Sequence, residues 1–479
     1  DQFELAPIGR LALGVAISFS LPPYGLWLLT PIGLGLHLKL SQSSTKRQQL
    51  FDTVSLWIGY YGVALVWMTD LTFAGWLVAI PVQAIIMSAP MALVPVSGIG
   101  RSIAFPAALV VGEAIRWVVP FGGVPMSSLA MGPVDSYLVD TVRVSGPLLL
   151  IAAVGILAIA VEGALSTQIR KVVVALAAVL SLIVLAQIAP TGMRNAVIQG
   201  SVVQAGGQLG TRAASSDQAA VFTRHLEAVE LHNIETDLMV WSESSVTAFA
   251  PLEQSKEFRK VAQLANRIDT VIVANFSEIE GNYFRNASVV VEPTGGIGGR
   301  YDKVHLVPFG EYIPLRSVVE KFADLSLISR EALPGSGAGV VSSSLGPIGN
   351  VISFEVYFPE RVRSGNQMGA QIITNPTLAS SYENSLVPEQ SLASARLRAI
   401  ESDRWVLQAS TTGYSAIVAP DGHVVKRSNL REQTVLSSPI ELRSGQTWAT
   451  KFGKKPISLF AALLLIATAL LSSRSRRSK

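Results

Sequence analysis

Gly349-Asn350-Val351-Ile352-Ser353-Phe354-Glu355-Val356-Tyr357-Phe358-Pro359-Glu360 carries a β-rich apolar run into a hydroxyl residue, an aromatic and a carboxylate. A Phe-Pro-Glu turn then leads to Arg361. A buried strand presents a nucleophile in this way at its carboxyl end, where α/β folds place their chemistry. Ser353 is therefore the candidate nucleophile, and an α/β domain is expected around it.

The surrounding pattern agrees with that expectation. Strands are predicted over Val197–Gln204, Leu238–Trp241, Thr270–Phe276, Ala287–Val291, Val351–Phe354, Ala370–Thr374, Trp405–Ala409 and Ser415–Val418. Helices are predicted over Asp217–Leu231, Ser255–Arg267 and Pro388–Asp403, the second with Phe258, Val261 and Leu264 on one stripe. Alternating strands and helices make a layered α/β domain.

Two further positions share the geometry of Ser353, a reactive polar residue at the edge of a β-like run. Glu243 follows Met239-Val240-Trp241, and Lys303 precedes Val304-His305-Leu306. A carboxylate can take and return the nucleophile's proton, and an ammonium can stabilise the oxyanion of a tetrahedral intermediate. Together the residues supply what acyl transfer needs, although a lone Glu or Lys at a strand end is ordinarily a solvated loop charge. Gly295-Gly296-Ile297-Gly298-Gly299 is read as a hairpin turn, because a phosphate loop must open a helix and a β-like run follows here. His305 is expected to be a structural hydrogen-bonder rather than a base. No GxSxG elbow, HExxH helix or EF-hand loop occurs, so no metal and no cofactor are expected.

Outside this region the chain is apolar. Runs at Gly9–Leu21, Tyr24–Leu40, Phe51–Trp67, Trp76–Val96, Ile103–Val119, Pro147–Leu165, Val172–Ile188 and Ile457–Leu471 predict about eight membrane spans, the first marginal in length. Pro22-Pro23 is expected to mark a tight hairpin after that first run. Lys46 with Arg47, Arg101, Arg170 with Lys171, and the tail residues Arg474, Arg476, Arg477 and Lys479 fall on one side of such a bundle. The positive-inside rule makes that side cytoplasmic and the segment from about Ala189 to Lys455 extracytoplasmic. Within the fifth run, Glu113 and Arg116 share a helix face and are read chiefly as an internal ion pair that fixes packing, with a functional role as the other reading. The loop Pro120-Phe121-Gly122-Gly123-Val124-Pro125 either borders a lipid entrance or merely connects.

Composition sets the same limits. The chain has 479 residues, 49% of them hydrophobic and 15% charged, against roughly 25% charged in soluble domains. A membrane protein with two or more structural units follows. A net charge of +4 makes nucleic-acid binding a poor reading. With no cysteine, disulfides, thiolate metal sites and cysteine catalysis are excluded. The chain opens on Asp1, as a trimmed or processed start would, and shows no small-residue cleavage pattern there. The expected organisation is a bundle over residues 1–190, an extracytoplasmic domain over 195–450, a last membrane helix over 456–472 and a basic cytoplasmic tail over 473–479.

Trp241-Ser242-Glu243-Ser244, Tyr301-Asp302-Lys303-Val304-His305-Leu306-Val307-Pro308-Phe309-Gly310-Glu311-Tyr312-Ile313-Pro314 and Ile352-Ser353-Phe354-Glu355 resemble the sequence blocks of the nitrilase superfamily. They look most like its membrane-bound branch, the apolipoprotein N-acyltransferases. The middle block is long and specific, and the arrangement of spans and Glu113-Ala114-Ile115-Arg116 match as well, so the resemblance covers essentially the whole chain. It implies an αββα sandwich on a helical bundle in the bacterial inner membrane. It also implies acyl transfer from a membrane phospholipid, through an acyl-enzyme, to the N-terminal diacylglyceryl-cysteine amine of an apolipoprotein. By matched position Glu243 would be the base, Lys303 the oxyanion partner and Ser353 the nucleophile, with Glu311 and Glu355 as supporting carboxylates. Phe322, Leu325, Leu327 and Ile328 would form a lid over the acyl chain or simply pack.

The chain departs from the family pattern at Ser353, where the family has cysteine, at Phe354, where it has tyrosine, and at Ser242, where it has proline. A thiol titrates near ~8.5 and ionises beside suitable partners, whereas a serine hydroxyl is far less acidic. An engineered serine, a natural relative with altered or lost catalysis that still binds lipid or lipoprotein, and a natural serine acyltransferase are the competing readings. The companion changes at Phe354 and Ser242 favour natural divergence. A membrane-tethered amidase is a further alternative.

Overall fold

The computed structural model describes residues 2–42, 44–70, 72–208, 217–321, 330–378 and 386–477. The chain divides into two compact units, one formed by residues 1–189 with 452–479 and the other by 190–451.

The first unit is helical. Among the described residues, five helices are long and apolar enough to cross a membrane: Phe73–Leu93, Gly98–Arg116, Pro147–Leu165, Ile169–Ile188 and Lys455–Ser473. The remaining expected spans form the helices Gln2–Ser18, Leu29–Leu40 and Lys46–Ala64. The first two are shorter, and the third begins on Lys46-Arg47-Gln48-Gln49, which leaves its apolar part short of a full crossing. Pro22-Pro23 lies in the connection between the first two, where Tyr24 and Gly25 donate back to Leu21 O.

Close helix contact explains two glycines here. A Cβ at Gly14 would lie 1.9 Å from Leu56 O, and one at Gly59 would lie 2.1 Å from Leu11 O. Small residues let helix backbones approach where lipid supplies no hydrophobic drive for association.

Glu113 and Arg116 are fully buried and pair at 2.9 Å. Arg116 also donates to Gln83 Oε1, Val124 O and Met126 O, and Glu113 accepts the Leu129 amide. Each charge is thus compensated by several partners, as burial demands. The pair fixes the chain that follows the helix, including the Pro120–Pro125 loop, which is the packing role expected of it.

Among its described residues the second unit contains two sheets. The larger runs Thr434–Ser444, Met193–Gln204, Leu238–Val240, Val271–Glu280, Tyr283–Val291, Ile297–Asp302. The smaller runs Val424–Arg427, Ala416–Val418, Val406–Ser410, Ile373–Thr377, Ile348–Asn350, Val340–Val341. Strand periodicity builds the layers, because successive side chains point to opposite faces. Leu238, Val240, Val271 and Val273 join Ile348, Ile352, Ile372, Leu407 and Ile417 in one core cluster between the sheets. Their neighbours Met239, Trp241, Ile272 and Ala274 face the other way, onto Phe222, Val229, Phe258, Val261 and Leu264. Those last residues come from the helices Gln218–His232 and Lys256–Ile268, which are capped by Asp217 and Ser255. Helices Pro359–Gln367 and Val387–Ser402 pack on the smaller sheet. The result is helix, sheet, sheet, helix.

The glycine-rich stretch is a hairpin turn, since Tyr283–Val291 and Ile297–Asp302 pair antiparallel across it. The structure adds strands that were not expected, Val424–Arg427 and Thr434–Ser444, and lacks one that was. Val351–Phe354 is not a strand: the strand is Ile348–Asn350, and a 3₁₀ turn covers Ser353–Tyr357. Apolar character continued past the strand because the turn itself is buried.

Candidate active site

The smaller sheet delivers Ser353. Ile348–Asn350 pairs with Ile373–Thr377 in parallel, and Val351 N still donates to Thr374 O before the chain turns. Ser353 then adopts φ = 53°, a left-handed conformation that costs a non-glycine residue roughly 1–3 kcal/mol and concentrates at functional sites. From Ile348 to Pro359 every residue is buried except Ser353, which is partly exposed. Its Oγ lies 3.3 Å from Thr377 Oγ1, on the adjacent strand. The helix starting at Pro359 closes the turn, with proline at a position where its missing N–H costs nothing.

Glu243, Lys303 and Glu311 meet at the end of the larger sheet. Lys303 Nζ lies 2.8 Å from Glu243 Oε1 and 3.0 Å from Glu311 Oε1, and the lysine is almost wholly buried. Asn286 Nδ2 donates to the same two carboxylates at 2.8 and 3.1 Å. Asn275 Nδ2 donates in turn to Asn286 Oδ1, fixing the amide so that its NH₂ faces the acids. Glu311 Oε2 accepts the Val307 amide at 2.7 Å. Burial alone would pull the Lys303 ammonium down, but the charges of Glu243 and Glu311 outweigh it and hold the lysine well above its ordinary value. Burial pushes Glu311 up, against the opposing pull of Lys303, and the Glu243 charge adds to the rise.

Glu355 fastens the two halves of the site together. Fully buried, its Oε1 accepts the Tyr301 hydroxyl at 2.8 Å and the Val304 and His305 amides at 2.9 and 3.0 Å. Its Oε2 accepts the Ile352 amide at 2.9 Å. The residues flanking Lys303 and the residue preceding Ser353 therefore hang on one carboxylate. The Tyr301 hydroxyl is pushed up by burial, then by the Glu355 charge, so it remains a donor. His305 stacks on Phe358 with ring centroids 4.2 Å apart.

Ser242 carries its own network. Its Oγ lies 3.0 Å from His225 Nε2 and 2.7 Å from Thr411 Oγ1, while His225 Nδ1 lies 2.9 Å from Val221 O. Only an N–H can satisfy that carbonyl, so Nδ1 carries the proton and Nε2 accepts from Ser242. Burial draws His225 down to about 4.

Asn275, Asn286, Tyr301, Thr377 and His225 were not among the residues singled out by sequence. A signal existed for the asparagines, because both interrupt apolar strand sequence, in Val271-Ile272-Val273-Ala274-Asn275 and Asn286-Ala287-Ser288-Val289-Val290. A buried amide in such a run needs built partners. Phe322, Leu325, Leu327 and Ile328 lie outside the described residues. Among the described residues, no group of three His, Asp or Glu side chains is gathered as a metal site.

Residues 196–450 match the carbon-nitrogen hydrolase family, and residues 13–160 match the apolipoprotein N-acyltransferase N-terminal domain. The chain is 31% identical over 291 residues to the apolipoprotein N-acyltransferase of Mycolicibacterium smegmatis, a match covering 58% of this chain and 47% of that protein. It is 25% identical to that of Shewanella oneidensis over 95% of this chain and 93% of that one. It is 26% identical to that of Methylococcus capsulatus over 95% and 94%. The chain spans about half the length of the first of these relatives and nearly all of the other two. A matched domain over more than half the chain, and a second family domain in the helical unit, establish kinship: the chain belongs to the carbon-nitrogen hydrolase family, in its apolipoprotein N-acyltransferase branch.

Proposed function

We propose that this protein moves an acyl chain from a membrane phospholipid, through Ser353, to the N-terminal diacylglyceryl-cysteine amine of lipoproteins. The observation that carries this reading is the one partly exposed residue of a buried turn, Ser353, tied through Glu355 to the segment that presents Lys303 to Glu243.

In the first half-reaction Ser353 Oγ attacks the ester carbonyl of the phospholipid, and Glu243 takes its proton. The Lys303 ammonium stabilises the oxyanion. Collapse expels the lysophospholipid alkoxide, which recovers the proton from Glu243 and leaves an acyl ester on Ser353. In the second half-reaction the cysteine amine attacks that ester and Glu243 accepts an amine proton. Collapse forms the amide and returns the proton to Ser353 Oγ. Glu311 holds Lys303, and Glu355 holds the turn. Neither is asked to exchange a proton.

The membrane is the bacterial inner membrane in this reading. Lys46, Arg47, Arg101, Arg170 and Lys171 then mark the cytoplasmic side, and residues 190–451 lie outside the cytoplasm.

Ser353 itself favours a second reading, a non-catalytic relative that binds phospholipid or lipoprotein. A serine ester is less reactive toward an amine than a thioester, and a carboxylate is a weak base for a hydroxyl. Incubation with phospholipid followed by mass analysis of the Ser353 peptide separates the two. An acyl mass that disappears in Ser353→Ala supports the transferase; no adduct, with lipopeptide binding intact, supports the binding protein.

A further inference from the structure

The helical unit contains a cavity of about 1280 Å³, larger than the ~300–1,000 Å³ usual for small-molecule sites. It lies between the helices Ile169–Ile188 and Lys455–Arg477. The last helix packs on Gly98–Arg116, whereas Ile169–Ile188 packs on Pro147–Leu165. The two outer helices therefore stand apart, and the two inner ones form the floor of a crevice. Ala107, Ala152, Ile156, Ala178, Leu182 and Leu464 give it apolar walls. Along the floor, Leu149 to Glu162 spans about 20 Å at ~1.5 Å per residue. That length suits a long acyl chain.

One end of the crevice is polar and positively charged. Glu162 is buried there, accepting Gln42 Nε2 at 2.7 Å, with Arg101 Nη1 at 3.8 Å and the Lys171 ammonium also on its carboxylate. Arg170 lines the same end and is exposed. Arg101, Arg170 and Lys171 against the single Glu162 leave an excess of about two positive charges, where an unmatched charge beside hydrocarbon is costly. Two helices also begin at this end, at Gly98 and Ile169, and neither Ser97 nor Gln168 makes a side-chain capping bond. Helix starts carry partial positive charge and inward-facing N–H groups suited to an anion.

We propose that this crevice binds one anionic phospholipid, held rather than consumed, with its phosphate at Arg170 and Lys171 and an acyl chain along the apolar floor. The charge excess selects the class. A headgroup whose only charge is its phosphate cancels about half of that excess, whereas a zwitterionic headgroup brings an ammonium back to it. A soluble phosphate leaves the apolar length unfilled.

The test uses the full chain, purified in mild detergent and titrated with phosphatidylglycerol or phosphatidylethanolamine of matched chains, with binding read by native mass spectrometry. One phosphatidylglycerol is expected to bind at least tenfold more tightly than phosphatidylethanolamine. Arg170→Glu combined with Lys171→Gln removes that preference, and Ala178→Trp, which fills the crevice and leaves the charges in place, lowers binding of both lipids. The bound phosphatidylglycerol is recovered intact, with both acyl chains and no acyl mass on Ser353, which separates a held lipid from an acyl donor consumed at Ser353. Equal binding of the two lipids by the unmodified chain overturns the proposal. So does binding that survives both variants, each checked for monodispersity and an unchanged Tm.

Discussion

Glu355 Oε1 and the Tyr301 hydroxyl meet at 2.8 Å in a fully buried pair, and through them the segment carrying Lys303 is joined to the turn carrying Ser353. The same carboxylate takes three backbone amides. Charge-assisted bonds of this kind are about twice as strong as neutral ones, so the geometry of the site depends on an acid that touches no reacting atom.

Glu355→Gln tests that dependence. An amide must turn an NH₂ toward at least one backbone N–H, leaving a buried donor unmatched at a cost of about 1–3 kcal/mol. A lower Tm and a fall of about tenfold in kcat are expected, with substrate KM little changed because the lipid does not touch this residue. Steady-state kinetics and thermal unfolding in one detergent check both. Full activity in a stable variant would show that the brace is dispensable.

Lys303→Met removes the shared partner of two buried carboxylates. Breaking a buried pair by deleting one side destabilises by roughly 3–5 kcal/mol, and loss of an oxyanion donor costs roughly 10²–10³ in rate. Adding Glu311→Gln is expected to restore much of the stability and none of the activity, because one surplus charge is gone while the ammonium is still missing. Recovery of activity in the double variant would remove Lys303 from the mechanism.

Ser353→Cys restores the more acidic and more nucleophilic atom without changing the turn, since the two side chains are nearly isosteric. N-acylation of a diacylated lipopeptide is expected to rise at least tenfold, and Ser353→Ala to abolish it. No gain with cysteine would sink the view that the rest of the site is competent.

His225 makes stability pH-dependent. Its folded value of about 4 lies below the ordinary 6.5, so between these values the unfolded chain binds more protons. Stability is full above pH 6.5, falls as pH drops toward 4, and by then has lost about 3 kcal/mol from this group. His225→Gln, which cannot charge, is expected to flatten that slope in denaturation measured from pH 7 to pH 4. An unchanged slope would assign the acid sensitivity to other groups.

Much of the domain was legible because alternation along Leu238–Val240 and Val271–Glu280 and the stripe Phe258, Val261, Leu264 are local properties of the chain. Caps such as Asp217 and Ser255 likewise announce their helices. The Ser353 turn was legible as chemistry but not as conformation. Its apolar residues suit a strand and a buried turn equally well, and only the packing of Ile352 between the sheets separates the two.

The sequence by itself determined the kinds of element and the membrane character, and it offered Glu243, Lys303 and Ser353 as candidates, since these rest on periodicity, composition and residue chemistry. Tertiary structure decided the rest. It brought Glu243 and Glu311 onto one lysine, turned Glu355 into the fastening between Lys303 and Ser353, and oriented Asn286 through Asn275. Those relations join residues distant in sequence, and each exists because a buried polar group must find its partner wherever the fold brings one within reach.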